Sequence, residues 1–345
     1  MKAAILKAPG NLVLAETAMP LCPAGGLIVK TQACSICTTD VKMFYHGQRD
    51  LVYPRILGHE IAGLVAESRA PDAIFKPGNR VQIAPGVNCG GCLACHRGAD
   101  NQCDRIGIFG FNHDGGFAEY LAVPPQSVRY GGINLIPEGL SFEEAALAEP
   151  LASCLNGQQL AGVAEGDTVL IIGAGPLGLL HAMLARVRGA ACILVAEPLP
   201  SRIKMACPAK IDRIIDLNCE DIEETVKQET ARRGIDVIIL ACREAVAYPL
   251  PKLLAPGGRI CLFSGLPEDS AKFPLDANLV HYREITIVGA YGSTAAQNSA
   301  ALGLIASGEV PVAWLITKRL SLGEIYEGMD YVAKREGLKA IIKFS

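Results

Sequence analysis

Charge of either sign is scarce in this chain of 345 residues: Asp, Glu, Lys and Arg make up 19% of it and nearly cancel, to a formal net charge of −3. So even a balance gives no electrostatic reason to expect nucleic acid or an anionic membrane as partner. Long apolar runs are missing too. No stretch of about 18 uninterrupted apolar residues occurs, and Lys2 and Lys7 interrupt the N-terminal residues before a signal-peptide core forms. The expectation is a cytoplasmic protein that neither spans nor binds a membrane. An even cysteine count is also lacking: there are thirteen, and four of them cluster tightly. That fits metal binding in a reducing compartment better than a disulfide framework. Cys192, Cys242 and Cys261 lie in apolar, strand-like runs and read as small buried hydrophobes. What the chain does have is hydrophobic residues, 50% of the total, enough at this length for two domains with a core each.

Cys37-Thr38-Thr39-Asp40 and, about twenty residues on, Gly58-His59-Glu60 put a thiol, an imidazole and a carboxylate within reach of one divalent ion. Catalytic zinc takes three such ligands and keeps a fourth position open. Neighbours on a strand point to opposite faces, so His59 and Glu60 share an ion only if the backbone turns there, as Gly58 permits. A buried thiol, a satisfied imidazole and a surface carboxylate are the ordinary alternative.

To about Arg129 the chain is a series of short β-like runs: Ile5-Leu6, Leu12 to Leu14, Leu27 to Thr31, Ile61 to Glu67, Arg80 to Ile83 and Phe117 to Val123, all broken by Gly and Pro. This predicts a mostly antiparallel β domain. Within it, Cys89-Gly90-Gly91-Cys92-Leu93-Ala94-Cys95 and Cys103 supply four thiolates, enough to close a tetrahedral shell around a structural zinc or to hold an iron–sulfur cluster. Ser141 and Glu144 then form a capping-box pattern that opens an Ala-rich helix running past Gln159. Glu149 is an acid amid Ala and Leu just before Pro150. It is either held charged by a cation or metal, or turned to solvent at a kink.

The run Asp167 to Ile172 passes into Gly173-Ala174-Gly175-Pro176-Leu177-Gly178 and then a helical stretch to Arg188. A Gly-x-Gly-x-x-Gly between strand and helix is the dinucleotide pattern: a tight turn, close approach of a pyrophosphate, and close packing of helix on strand. The helix start offers amide protons and a positive dipole end to phosphates. A second strand, Cys192 to Ala196, ends in Glu197, an acid placed to accept the ribose hydroxyls and repel a 2′-phosphate, which favours NAD; Arg202 nearby argues the other way. Further β-runs at Arg213 to Leu217, Ile235 to Ala241, Gly258 to Phe263 and Glu284 to Gly289 complete six, separated by helices such as Asp221 to Arg233. They describe a doubly wound parallel sheet. Ser264, Gly265, Leu266 and Tyr291 follow strand ends, where a nicotinamide is expected. Beyond Gly292, two helical stretches and a strand-like Leu338 to Phe344 are too little for a separate core and are expected to return to the first domain.

Taken together, these motifs resemble the zinc-containing medium-chain dehydrogenase/reductase family, on the branch of sorbitol and other polyol, galactitol-phosphate and threonine dehydrogenases. The resemblance covers essentially the whole chain. It implies an α/β protein with a GroES-like, mostly-β catalytic domain over 1–150 and 291–345 and a Rossmann NAD-binding domain over 151–290. It also implies a catalytic zinc on Cys37, His59 and Glu60, with Glu149 as fourth or alternating ligand, and a structural zinc on Cys89, Cys92, Cys95 and Cys103. Manganese or cobalt is compatible with the carboxylate-containing set. Thr39 stands where the family places a hydroxyl relay. Lys42 replaces the histidine that often completes it, with His46 as a second candidate; Cys207-Pro208-Ala209-Lys210 replaces a glycine-containing turn. The implied activity is NAD-dependent oxidation of a secondary hydroxyl on a polyol, sugar alcohol or its phosphate, by a homodimer or homotetramer. A threonine or simple secondary-alcohol dehydrogenase is the alternative, and a catalytically silent NAD-binding zinc protein a remoter one. Phe44, Phe111, His113 and Tyr291 are candidate pocket residues.

Overall fold

A computed structural model describes residues 1–71, 74–243, 250–265, 272–273 and 275–344, so Leu266 lies outside the described residues. The chain divides into two units, Met1–Ala152 with Ser293–Ser345, and Ser153–Gly292.

The first unit is built on a seven-stranded sheet. In order across it run Ile133–Leu135, Arg80–Ile83, Glu60–Ser68, Leu27–Ile36, Lys339–Lys343 and Ile316–Ser321, and Tyr120–Val123 also pairs with Leu27–Ile36. All pairs are antiparallel except the last two strands, which run parallel. The inner strands are buried on both faces, and Leu27, Val29, Ile36, Ile61, Ile83, Leu121 and Ile342 share one core, which is the main stabilising term at this size. Ala340 pairs with Ile36, so the C-terminal strand lies directly beside the strand that leads into Cys37.

Two local differences from the sequence expectation matter for the site. Thr38–His46 is a helix, not part of a strand-rich run. Its period is hard to see because the buried apolar side chains on it are only Met43 and Phe44; it is started by Asp40, whose Oδ2 accepts the Cys37 N–H at 2.9 Å. The second difference is at Phe117. The strand begins only at Tyr120, because the Phe117 N–H is spent on the Leu57 carbonyl at 3.0 Å and its ring lies against Gly58. Farther on, the Ala-rich stretch is two helices, Phe142–Ala146 and Ala148–Leu160, the first opened by the expected box: Ser141 Oγ accepts from the Glu144 N–H at 3.1 Å.

The second unit is a six-stranded, wholly parallel sheet in the order Arg213–Asp216, Cys192–Glu197, Thr168–Ile172, Ile235–Leu240, Leu254–Leu262, Thr286–Gly289. This is the doubly wound 3-2-1-4-5-6 order, whose switch point lies at the carboxyl end of the first strand. Every residue of Thr168–Ile172 is buried, as a central parallel strand requires. The helix Ile222–Glu229 is shorter than its polar pattern predicts; Asp221 caps it by accepting the Glu224 N–H at 2.8 Å.

Candidate functional site

Strands Leu27–Ile36 and Glu60–Ser68 run antiparallel, with Ser35 opposite Glu60. The end of one therefore delivers Cys37 beside the start of the other, where His59 and Glu60 stand. The turn between His59 and its predecessor needs Gly58: its φ is +90°, and a Cβ there would fall 2.7 Å from Cys34 Sγ. The result is that Cys37, His59 and Glu60 bring one ligand atom each within 4.8 Å of one another, His59 and Glu60 buried and Cys37 half-buried.

Asp40 and Lys339 join them. Asp40 is wholly buried and accepts the N–H groups of Cys37 and Gly58, at 2.9 and 3.2 Å. Its Oδ1 faces His59 Nδ1 at 3.3 Å, but without hydrogen-bond alignment, so that nitrogen is a buried polar atom lacking a hydrogen-bond partner. With Nδ1 turned to the carboxylate, Nε2 is the nitrogen available to a metal, the usual division of an imidazole between ligand and supporting acid. Burial pulls the His59 pKa down, yet Asp40, with Cys37 behind it, outweighs that and raises it. Lys339 Nζ lies 2.5 Å from both oxygens of Glu60. Glu149 is also buried, which excludes a position out in solvent; burial pushes its carboxyl up to about 7, with His59 opposing and Glu60 adding. Three buried carboxyls and a half-buried thiol thus gather around one lysine and one imidazole. That donor set, rich in buried anionic oxygen and sulfur, fits a divalent cation of the zinc, manganese or cobalt kind.

Thr39 and Lys42 stand one turn apart on the helix that starts after Cys37, both half-buried, while His46 at its end is exposed. Phe44 turns into the core against Tyr326, with rings 6.1 Å apart, and does not line the site. Phe111 does: its ring meets that of His59 edge-on at 5.6 Å. His113 packs on Phe109 at 6.0 Å, and burial lowers its pKa.

Cys89, Cys92, Cys95 and Cys103 also gather their sulfurs within 4.8 Å of one another. Gly90 takes φ +67°, and any side chain there would collide with the Tyr130 ring. The Cys103 sulfur accepts the N–H groups of Cys89 and Arg105, at 3.3 and 3.4 Å. Cys92 and Cys95 approach to 3.5 Å, too far for a disulfide. The thiols split in acidity: the Gly91 amide and Cys103 draw Cys89 down to about 6, whereas burial and neighbouring sulfurs push Cys95 up to about 12. A cation that all four share removes this conflict, so the cluster fits a closed structural site.

In the second unit, Gly173 takes φ +107° and its N–H donates to the Ala196 carbonyl at 2.8 Å. At Gly178 a Cβ would run into the Gly173 carbonyl oxygen, so helix and strand pack as closely as the motif demands. Gly175 precedes the helix Pro176–Val187, which has no side-chain cap; Leu177 lies in its first turn, and its amide end is left to a ligand. Glu197 is buried and braces the loop, accepting the Ala174 N–H at 2.7 Å and the Leu199 N–H at 2.9 Å. Arg202 lies over Gly175, with Nη1 3.1 Å from where a Cβ would be. Ser264 and Gly265 follow strand Leu254–Leu262, and Tyr291 follows Thr286–Gly289, all on the carboxyl edge of the sheet. Sequence assigned no role to Asp40 or Lys339. The signal for Lys339 was a lone cation opening the otherwise apolar Ala340 to Ile342; for Asp40 it was the three-residue spacing from Cys37 typical of a helix start.

Comparison with known proteins shows the family. Residues 23–130 match the model of the alcohol dehydrogenase GroES-like domain, and 176–307 that of zinc-binding dehydrogenases. The chain is similar to L-galactonate-5-dehydrogenase of Escherichia coli (30% identity, covering 100% of this chain and 99% of that one). It is similar also to D-altritol 5-dehydrogenase of Agrobacterium fabrum (33%, covering 92% and 91%). Among solved structures, a provisionally assigned zinc-binding dehydrogenase from Sinorhizobium meliloti bound to NADP superposes with a TM-score of 0.91 at 29% identity, covering 99% of each chain.

Proposed function

Because the chain belongs to the zinc-containing medium-chain dehydrogenase family, we propose that it oxidises a secondary hydroxyl of a polyol, sugar alcohol or its phosphate, with NAD as hydride acceptor. The observation that carries this is the convergence of Cys37, His59 and Glu60 within 4.8 Å, with Glu149 buried nearby. Zinc at that position supplies Lewis-acid polarisation that lowers the pKa of the substrate hydroxyl. The chain's own groups do the rest. Cys37, His59 and Glu60 would hold the ion, Asp40 faces the imidazole and fixes the backbone of Cys37 and Gly58, and Phe111 meets the imidazole edge-on. The Thr39 hydroxyl accepts the alcohol proton and passes it outward, with Lys42 on the next turn as its exit. Bound NAD would take up the carbinol hydrogen together with its bonding electron pair, leaving a ketone.

The glycine loop lets the pyrophosphate approach closely, and the amides at the start of the following helix would bind it. Glu197 accepts the ribose hydroxyls and disfavours a 2′-phosphate. NADP in the Sinorhizobium relative belongs to that protein, and Glu197 is the reason to place NAD here. The second ion is structural, on the four cysteines, and the working form is a homodimer or homotetramer in the cytoplasm. Among the described residues no helix is long and apolar enough to cross a membrane.

The test is reduction of NAD and of NADP by a panel of polyols, sugar acids, polyol phosphates and L-threonine, with and without a chelator. Polyol-dependent NADH formation abolished by the chelator is expected. Silence across the panel by zinc-loaded protein would leave a binder of nucleotide and metal, and threonine as sole substrate would move the chain to the amino-alcohol branch.

A further inference from the structure

A nearly buried lysine is rare unless paired, and Lys339 is only 4% exposed. Its ammonium lies 2.5 Å from each oxygen of Glu60, whose own exposure is 0%. Glu60, and after it Cys37 and Glu149, contribute most to favouring its positive charge, and all three belong to the candidate metal site. The lysine therefore sits among the groups that would hold the divalent ion, and the two cations draw on one carboxylate. Glu60 is the ligand whose charge is already partly neutralised before a metal arrives.

We propose that Lys339 is a positioning residue that shares Glu60 with the metal, keeps that carboxylate from committing both oxygens to it, and so leaves the fourth position open to substrate. The inference rests on the reading of Cys37, His59 and Glu60 as a metal site and names what regulates it. Lysine suits the task better than arginine: it is a compact charge on a flexible stem and follows a carboxylate that moves. The pair is set by the fold, since Ala340 is locked opposite Ile36 and the preceding residue must then face the end of strand Leu27–Ile36.

The experiment measures the rate at which zinc passes from the purified holoprotein to a chromogenic chelator, with metal per chain counted before and after. Wild type should hold two zincs and release one ahead of the other. Lys339→Met removes the competing cation, so the faster zinc should leave about tenfold more slowly, the scale on which partners of metal ligands act; kcat should fall while KM for NAD stays. Lys339→Gln, which keeps a polar head for Glu60, should show the same slowing and serves if the Met variant does not fold. In a Glu60→Gln background, replacing Lys339 should change the release less than twofold, because the partner through which it acts is gone. Release as fast as wild type, or faster, from folded Lys339 variants overturns the proposal while two zincs per chain preserve the site. Equal slowing in both backgrounds overturns it too, since the lysine would then act as a distant charge. A single zinc in the wild type overturns it together with the reading of the site.

Discussion

Glu149 and His181 are both buried, and burial moves their proton affinities in opposite directions. Glu149 is pushed up to about 7, among other acids; His181 is pulled down to about 3, by burial first and by Arg188 second. The acid lies near the candidate metal site, where a bound cation would restore its charge. The imidazole has no such help. It is wholly buried on helix Pro176–Val187, its carbonyl accepting Gln158 Nε2 at 2.8 Å and its ring edge-on to Phe263 at 4.4 Å. With a folded-state pKa below the ordinary 6.5, the unfolded chain binds a proton between these values that the native one refuses. Stability is therefore full above the ordinary value and drops as pH falls below it, by about 1.4 kcal/mol per unit from this residue. Denaturant unfolding of the wild type and His181→Gln at several pH values between about 6 and 4 should show the steeper loss in the wild type; parallel slopes would place the proton elsewhere.

A single glycine decides where strand Glu60–Ser68 begins. Gly58 sits at φ +90° with Cys34 Sγ and the Phe117 ring against its α-carbon. Gly58→Ala should displace His59 and Glu60 together. The catalytic zinc should be lost, the four-cysteine zinc kept, and the midpoint of thermal unfolding lowered; two zincs retained by the folded variant would show that the turn tolerates a side chain. How much of this was legible depends on the range over which the residues act. The Gly173 to Gly178 loop and the Cys89 to Cys103 cluster announce themselves because all their chemistry lies within a few consecutive residues. The helix Thr38–His46 escaped notice because its buried face is two apolar side chains wide. Lys339 is different: the lone cation before an apolar run marks it locally, but its partner Glu60 lies 279 residues away in sequence, and nothing local names that partner.

At the scale of the whole molecule, two candidate metal sites in one unit make separate claims. Cys37→Ser should take the count from two zincs to one and abolish polyol oxidation, while thermal stability changes little. Cys95→Ser should also leave one zinc, but with a markedly lower unfolding temperature and loss of activity only as the protein unfolds, since a closed site contributes folding energy directly. The same loss of stability from both variants would mean that the two ions are not divided between chemistry and structure. The split of the first unit, Met1–Ala152 joined to Ser293–Ser345, sets an order in time as well as in space. A ribosome delivers Cys37, His59 and Glu60 long before Lys339, about a quarter of a minute to a minute earlier at ordinary elongation rates. For that interval the young carboxylate has no lysine to meet, and a passing metal ion faces no rival for it. On the proposed sharing of Glu60, metal taken up during synthesis is bound before its competitor exists, and the later arrival of the Lys339 strand loosens the hold on what has already been taken up.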